Sequence, residues 1–419
     1  MTSQKRAPGH ARISVIGAGP GGLTCARILQ LHGVAVTVYD RDAGPDARDQ
    51  GGTLDLHADN GQIALREAGL LDRFFELARP EGQEMRQLDL MGTITDHLVP
   101  SPDELFKPEI DRGRLRDLLL GSLRPGTVRW GHTLKRVSGS ADGVRRLHFA
   151  HSATGSAADS AIGSGGDSPA DAITGSADAA AASDVVETDL VIGADGAFSR
   201  VRPAVSCAVP AYSGVSFLEA RFHDVENRHP DLAELVGQGG AHAADGERAM
   251  FAQRAGGDRI RVYLIQRAPA DWIRASGLTP GDTDGIRAQL LERYAHWSPR
   301  MRRMITDNDG PYVDRPILAL PVPHTWEHDP TVTLLGDAAH LMPPLGVGVN
   351  LAMLDASDLA LALANAATVG DAVRAYEKTM LPRSIETAQA LEGGAEHLLA
   401  TEAAPGFSGD GVPQDGDQS

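Results

Sequence analysis

ISVIGAGPGGLTCARILQLHGVAVTVYD, residues 13–40, contains in order a strand, a glycine turn, a helix and a second strand. Arg12 to Ile16 is predicted as a buried strand, Pro20 to Leu31 as a helix closed by Gly33, and Val34 to Tyr39 as the second strand. Strands joined through a helix run parallel, because the chain must cross back over the sheet. Gly17, Gly19 and Gly22 follow the first strand in the spacing GxGxxG. The first permits the tight turn, the second lets a pyrophosphate approach the backbone, and the third lets helix and strand pack closely. Pro20 suits the first helical turn, and the free N–H groups there attract phosphate. Asp40 closes the second strand where a carboxylate accepts hydrogen bonds from an adenosine ribose, and Arg41 follows it. Gly17, Gly19, Gly22, Asp40 and Arg41 are thus candidate dinucleotide-binding residues, with FAD and NAD both open at this point.

Bulk composition bounds the alternatives. The chain has 419 residues, 42% of them apolar and 23% charged, enough for two integrated domains and a large core. No apolar run approaches the roughly 18 to 20 residues that cross a bilayer. Met1 to Arg12 lacks the apolar core of a secretion signal, so no membrane span and a cytoplasmic location are expected. The net charge of -17 opposes phosphate backbones, which excludes nucleic acid as an expected partner. Cys25 and Cys207 are the two cysteines, too few for a disulfide framework, and no His/Cys cluster suggests a metal.

Farther along, Leu115, Leu118, Leu119 and Leu123 give one apolar face to a helix predicted from Arg112 to about Leu123. Residues 151–184 are dominated by Ala, Gly, Ser and Asp and are expected to be a disordered insertion between the paired strands Arg146 to Phe149 and Val185 to Ile192. From Val209 to about Leu320 alternating strands, such as Phe217 to Phe222 and Arg259 to Gln266, imply a separate sheet. Two helical stretches, about Val349 to Ala367 and Asp371 to Thr401, precede a polar tail.

TLLGDAAHLMPPLGVGVN, Thr333 to Asn350, resembles the class A flavoprotein monooxygenases of the para-hydroxybenzoate hydroxylase fold. The resemblance implies FAD as cofactor and NADPH as co-substrate. It places Asp337 on the ribityl hydroxyls and Gly348, Val349 and Asn350 at the flavin pyrimidine edge, where a helix N-terminus favours negative charge. The family usually has Gln where this chain has Val347. His340, in the same motif, is expected to be structural. GADGAFSRVR matches the family's DG motif through Asp195, Gly196, Ser199 and Arg202, and Arg112 matches an arginine that contacts FAD. Arg114 and Arg116 are expected to be solvated helix charges.

RDQGGTLDLH, Arg48 to His57, together with GDAAHLMPP looks like the tetracycline-inactivating branch of that family, which brings Asp55 to the flavin and Arg48 near its ring. The likeness fails at the substrate sheet, where Glu219 in FLEAR stands at a glutamine position. Glu219, Arg221, Met250 and Phe251 are candidate substrate contacts. No dedicated catalytic side chain is assigned, because the cofactor carries the chemistry.

The resulting expectation is an α/β protein with a Rossmann-like FAD-binding domain on a parallel sheet, a substrate domain on a mostly antiparallel sheet, and a C-terminal helix. FAD-binding segments are expected at 10–78, 107–205 and 321–370, substrate-domain segments at 79–106 and 206–320, the helix at 371–403 and a flexible tail at 404–419. Such a protein is expected to be a monomer that uses NAD(P)H and oxygen to hydroxylate a small aromatic or polycyclic compound, a tetracycline among the candidates, through a flavin C4a-hydroperoxide. The alternative is a non-catalytic flavoprotein that sequesters such a compound.

Overall fold

A computed structural model describes residues 6–101, 103–139, 143–151, 184–391 and 393–400. The interior of the expected insertion, 152–183, and the expected tail lie outside the described residues.

Ile13–Ile16 is buried at every position and forms the centre of a five-stranded sheet. The order is Val332–Leu334, Leu190–Gly193, Ile13–Ile16, Val36–Tyr39 and Val128–Arg129, all parallel. The helix Pro20–Leu31 leaves the glycine turn with Pro20 in its first turn. Val34 donates its N–H to the carbonyl of Leu29 at 2.9 Å, so it closes the helix and the second strand begins at Val36 rather than at Val34. At Gly21 a Cβ would lie 2.8 Å from Leu335 and 3.0 Å from the carbonyl of Ala352, so this helix packs closely on the helix Gly348–Asn365.

Asp184–Thr188 and Leu190–Gly193 are separate strands, which corrects the single strand expected from Val185 to Ile192. The former pairs antiparallel with Arg145–His151 in a three-stranded sheet, and the latter joins the parallel sheet. Asp189 makes the break. Its N–H donates to the carbonyl of Arg12, and its buried carboxylate accepts from the Arg12 N–H at 2.9 Å and from the guanidinium groups of Arg6 and Arg12. Burial alone would raise this carboxyl, but the bonds and charge of Arg12 hold it below the usual carboxylate range.

The second large sheet has seven strands, in the order Val313–Ala319, Ala211–His223, Arg259–Arg267, Arg248–Ala255, Gly240–Ala244, Met85–Leu88 and Ile94–Leu98. Its pairings are antiparallel except between Gly240–Ala244 and Met85–Leu88. Alternation gives each strand two faces. Leu218, Ala220, Phe222, Val262 and Leu264 pack with Trp272, Tyr294 and Trp297 in a core on one side. Phe217, Glu219, Arg221, Phe251, Arg261, Tyr263 and Arg315 share the opposite face.

A two-stranded ribbon, Thr53–Asp55 with Glu109–Asp111, links the sheets. Within it the buried Glu109 accepts from Thr53 Oγ1 at 2.8 Å, from Gln253 of the seven-stranded sheet at 2.8 Å and from Arg79 at 3.3 Å. Burial pushes its carboxyl up to about 7, despite the opposing charge of Arg79.

The helix Gly348–Asn365 is followed by Val369–Ala390, whose first turn is capped by Thr368 accepting from the Asp371 N–H at 3.2 Å. It stops at Ala390, short of the expected 403, because Gly393 turns the chain at φ 76°. The short helix Gly394–His397 then brings Ala395, Leu398 and Leu399 against Val215, Phe217, Ile317 and Leu345.

Replacing Asp189→Ala is expected to cost about 2 kcal/mol, since it removes hydrogen bonds from a buried acceptor while Arg6 and Arg12 regain solvent. The shift of the chemical denaturation midpoint at neutral pH measures this. Glu109 has the opposite linkage: its raised pKa means the folded chain binds the extra proton, so its contribution to stability falls as pH rises from about 4.5 to about 7 and is level above. Subtracting the stability-pH curve of Glu109→Gln from that of wild type should isolate this downward slope.

Candidate active site

Tyr39, Ile16, Gly193 and Leu334 lie in register across four parallel strands, so the segments that follow them emerge at one edge. Ligands of open α/β sheets bind at that carboxyl edge. Gly17 sits at φ 108°, and a Cβ there would lie 2.2 Å from the Ala194 carbonyl. At Gly22 a Cβ would lie 2.1 Å from the Gly17 carbonyl, whereas at Gly19 nothing stands within 4 Å. Two of the three glycines therefore permit backbone packing, and the middle one faces open space.

Asp40 accepts from the Ala18 N–H at 2.6 Å and the Asp42 N–H at 2.8 Å, bracing the glycine turn while leaving further lone pairs. Arg41 beside it is exposed. Arg116, read from sequence as a solvated charge, is instead buried. It donates to the carbonyls of Ala18 at 3.3 Å and Pro45 at 2.5 Å, meets Asp42 at 3.4 Å, and lies over Trp130. The signal was available: Arg112, Leu115, Arg116 and Leu119 follow the helical stripe i, i+3, i+4, i+7.

At the other end of the edge, Asp195 accepts from the Arg200 N–H at 2.7 Å, and its Oδ1 is buried with no partner among the described residues. Arg202 donates to the carbonyls of Ala338 at 2.8 Å and Asp337 at 3.1 Å, tying the DG motif to the GD motif. Asp337 itself is exposed, with Gly348 alongside it. His340 is buried and bonded to Asp355 at 2.6 Å, an ion pair that Arg383 joins at 2.8 Å, and burial, which would lower its pKa, is outweighed by the Asp355 charge. That places it in the packing of the helices, as expected.

The side chain of Asn350 is engaged by backbone. Its Oδ1 accepts from the His57 N–H at 2.8 Å and its Nδ2 donates to the carbonyls of Asp55 at 2.9 Å and Gly346 at 3.1 Å. Asn350 thus joins the RDQGGTLDLH segment to the turn before the helix Gly348–Asn365, and Asp55, bonded to His57 at 2.9 Å, faces Gly346. The first N–H groups of that helix, at Gly348 and Val349, have no capping side chain. The Arg112 N–H donates to the Gly52 carbonyl at 3.0 Å, but its guanidinium makes no hydrogen bond or ion pair with a described residue; the side chain reaches solvent, yet crowding by protein lowers its pKa, with Tyr263 and Asp337 acting against that. An open glycine, a free carboxylate, an unpaired guanidinium and an uncapped helix start along one edge fit a bound dinucleotide. Arg48 lies apart from Arg112 in its bonding: it meets Asp42 at 3.1 Å, at the Asp40 end of the edge.

On the facing sheet, Phe251 stacks with Tyr263 at 6.3 Å and 13°, and Phe217 meets Tyr263 at 5.8 Å. Met250 is corrected: alternation turns it to the opposite face, where it is buried in the helix-covered core. Glu219 lies on the aromatic face, with both carboxylate oxygens held by Arg221, Arg261 and Arg315. Burial alone would raise its carboxyl, but the charges of Arg315 and Arg261 and the bonds from Arg221 and Arg315 keep it below the usual range. It is a hub for arginines rather than a free substrate contact. Among the described residues no cluster of His, Cys, Asp or Glu suits a metal ion, and no helix is long and apolar enough to cross a membrane.

Comparison with known proteins agrees with this geometry. The FAD binding domain family matches residues 10–110 and 318–391. Monooxygenase penA of Penicillium thymicola is 30% identical over 89% of this chain and 92% of its own. Two solved structures share the fold: Klebsiella pneumoniae HpxO complexed with FAD and uric acid, 21% identical with a TM-score of 0.72 over 93% of this chain and 89% of that one, and tetracycline destructase Tet(55), 18% identical with a TM-score of 0.66 over 94% and 90%. With an FAD binding domain formed from two distant stretches and a relative similar along nearly its whole length, this chain belongs to the class A FAD-dependent monooxygenases.

Proposed function

We propose that the chain uses NAD(P)H and oxygen to hydroxylate a small aromatic or polycyclic compound, with tetracycline-like molecules among the candidates. The observation that carries this reading is the wall of Phe217, Phe251 and Tyr263, which lies on the sheet face shared with the segments of the FAD edge. Aromatic faces favour stacking against a planar ring. FAD, when bound, supplies electron transfer from NAD(P)H and activation of oxygen.

The residues of the chain bind and orient. Gly17, Gly19, Gly22, Asp40 and Arg41 are assigned to the adenosine and pyrophosphate half. Arg112, Asp55 and Asp337, with the backbone of Gly348, Val349 and Asn350, are assigned to the flavin half. Arg48, on the exposed segment before the ribbon, is assigned to the approach of NADPH. Phe251 and Arg221 line the substrate side, and Leu345, Leu398 and Leu399, buried against Phe217, exclude water there. In this reading the segments 10–78, 107–205 and 321–370 serve FAD, and 79–106 and 206–320 serve substrate.

The reading is tested on purified protein by its visible spectrum, and by NADPH and oxygen consumption with and without tetracyclines and other polycyclic phenols, with mass spectrometry of products. The expected result is a yellow protein whose NADPH oxidation rises with one compound and yields a product heavier by one oxygen. A protein that binds ligand without ever oxygenating it would instead be a sequestering flavoprotein. The glycines separate binding from folding. Gly19→Ala should weaken FAD retention about tenfold or more while leaving the apoprotein melting temperature within about 2 °C, because its Cβ meets open space. Gly22→Ala, whose Cβ meets the Gly17 carbonyl, should lower that melting temperature as well.

A further inference from the structure

Three arginines on adjoining strands converge on one carboxylate. Glu219 and Arg221 lie on Ala211–His223, with Arg261 from the neighbour on one side and Arg315 from the neighbour on the other. The Glu219 side chain is 2% exposed and accepts from Arg221 Nε at 2.8 Å, from Arg315 Nε at 2.7 Å and from Arg261 Nη1. Three guanidinium groups against one carboxylate leave an excess of positive charge. One further acid approaches: Asp49, whose Oδ2 is 2.9 Å from Arg261 Nη2 and 3.9 Å from Arg221 Nη1.

Asp49 differs from Glu219 in its hold on the cluster. It belongs to the segment before the ribbon, and its side chain is 49% exposed. An ion pair with so exposed a member is weak. The segment crosses the corner closely, since a Cβ at Gly52 would lie 3.3 Å from both Arg261 Cδ and the Tyr263 hydroxyl. Arg315, 36% exposed, bonds only through its Nε, so its two terminal nitrogens have no described partner. Tyr263, pressed against this corner, is also the centre of the aromatic wall. An arginine fork recognises a planar carboxylate, and here the forks adjoin a surface for an aromatic ring.

We propose that Arg221, Arg261 and Arg315 form a subsite for a carboxylate carried by an aromatic substrate, and that Asp49 is its internal occupant, displaced when that substrate binds. Glu219 is the buried support that orients the three forks; Asp49 is the removable counter-charge. A neutral compound leaves Asp49 in place and gains nothing from the corner, so Asp49 determines specificity by competition. This deepens the proposed function and rests on its placement of substrate at the aromatic face.

The test is calorimetric titration of the FAD-loaded protein, without NADPH, using benzoate, 2-naphthoate and anthracene-9-carboxylate, each beside its carboxamide. At least one carboxylate should bind about tenfold or more tighter than its amide. Asp49→Asn should tighten that carboxylate about fivefold or more and leave the amide within about twofold, as removal of a competing anion requires. Arg315→Gln, which leaves Glu219 two arginines, should abolish the preference while keeping flavin content. Equal binding of acid and amide, an Asp49→Asn effect equal on both, or no binding of any carboxylate overturns the subsite. A protein that shows the preference yet never oxygenates a ligand retains the subsite and loses the hydroxylase reading; a hydroxylase of neutral compounds indifferent to Asp49→Asn loses the subsite alone.

Discussion

The close passage of the glycine turn under the Ala194 carbonyl governs the geometry of the whole FAD edge. Gly17 and Gly22 have no room for a side chain, one against the neighbouring strand and the other against the turn itself. That contact sets the helix Pro20–Leu31 against the sheet, and Gly21 then sets the helix Gly348–Asn365 against it in turn. The uncapped start of the latter helix is thereby brought to the same edge as Gly19, although more than 300 residues separate them in the chain. Close packing transmits position in this way because protein interiors have little free volume to absorb a shift.

Buried arginines supply the second layer of positioning. Arg116 fastens the glycine turn to the segment at Pro45, and Arg202 fastens the DG turn to the GD turn. Both act mainly on backbone carbonyls that have left a strand and lost its ladder partners. A buried carbonyl without a donor is costly, and the planar fork of one guanidinium satisfies several at once. Asn350 does the same work between the segment at Asp55 and His57 and the turn at Gly346, with an amide in place of a guanidinium. These three residues hold the site through the chain itself, in contrast to Arg112 and Asp337, which point their charges into the open edge.

The seven-stranded sheet separates stability from recognition by its pleat alone. One face is apolar and covered by helices, and the other carries the aromatic wall and the arginine corner. Neighbours in sequence consequently have unrelated duties, as Met250 in the core and Phe251 on the wall illustrate. The surroundings of Glu219 likewise depend in part on residues far away in sequence, Arg261 and Arg315: a carboxylate read alone repels an anion, whereas the same carboxylate beneath three guanidinium groups supports one.

Residues 13–40 determined the parallel sheet, the glycine turn and the helix, because GxGxxG, Pro20 and the apolar runs act through local backbone geometry and short-range burial. The second sheet was legible from its two-residue alternation, and the motifs at Asp195 and Asp337 through their resemblance to the class A flavoprotein monooxygenases. Tertiary structure alone decided which side chains stand free and which are occupied. Arg116 became a staple, Asn350 a bridge, Glu219 a hub, and Arg48 turned to Asp42. The last long helix ends at Ala390 because Gly393 turns the chain locally, but that the following residues then pack on Val215 and Phe217 was decided by tertiary contact. The reason is physical: propensity and pattern are properties of neighbours in sequence, but the partner of a buried charge or an orphan carbonyl is fixed only when distant strands are brought within about 3 Å.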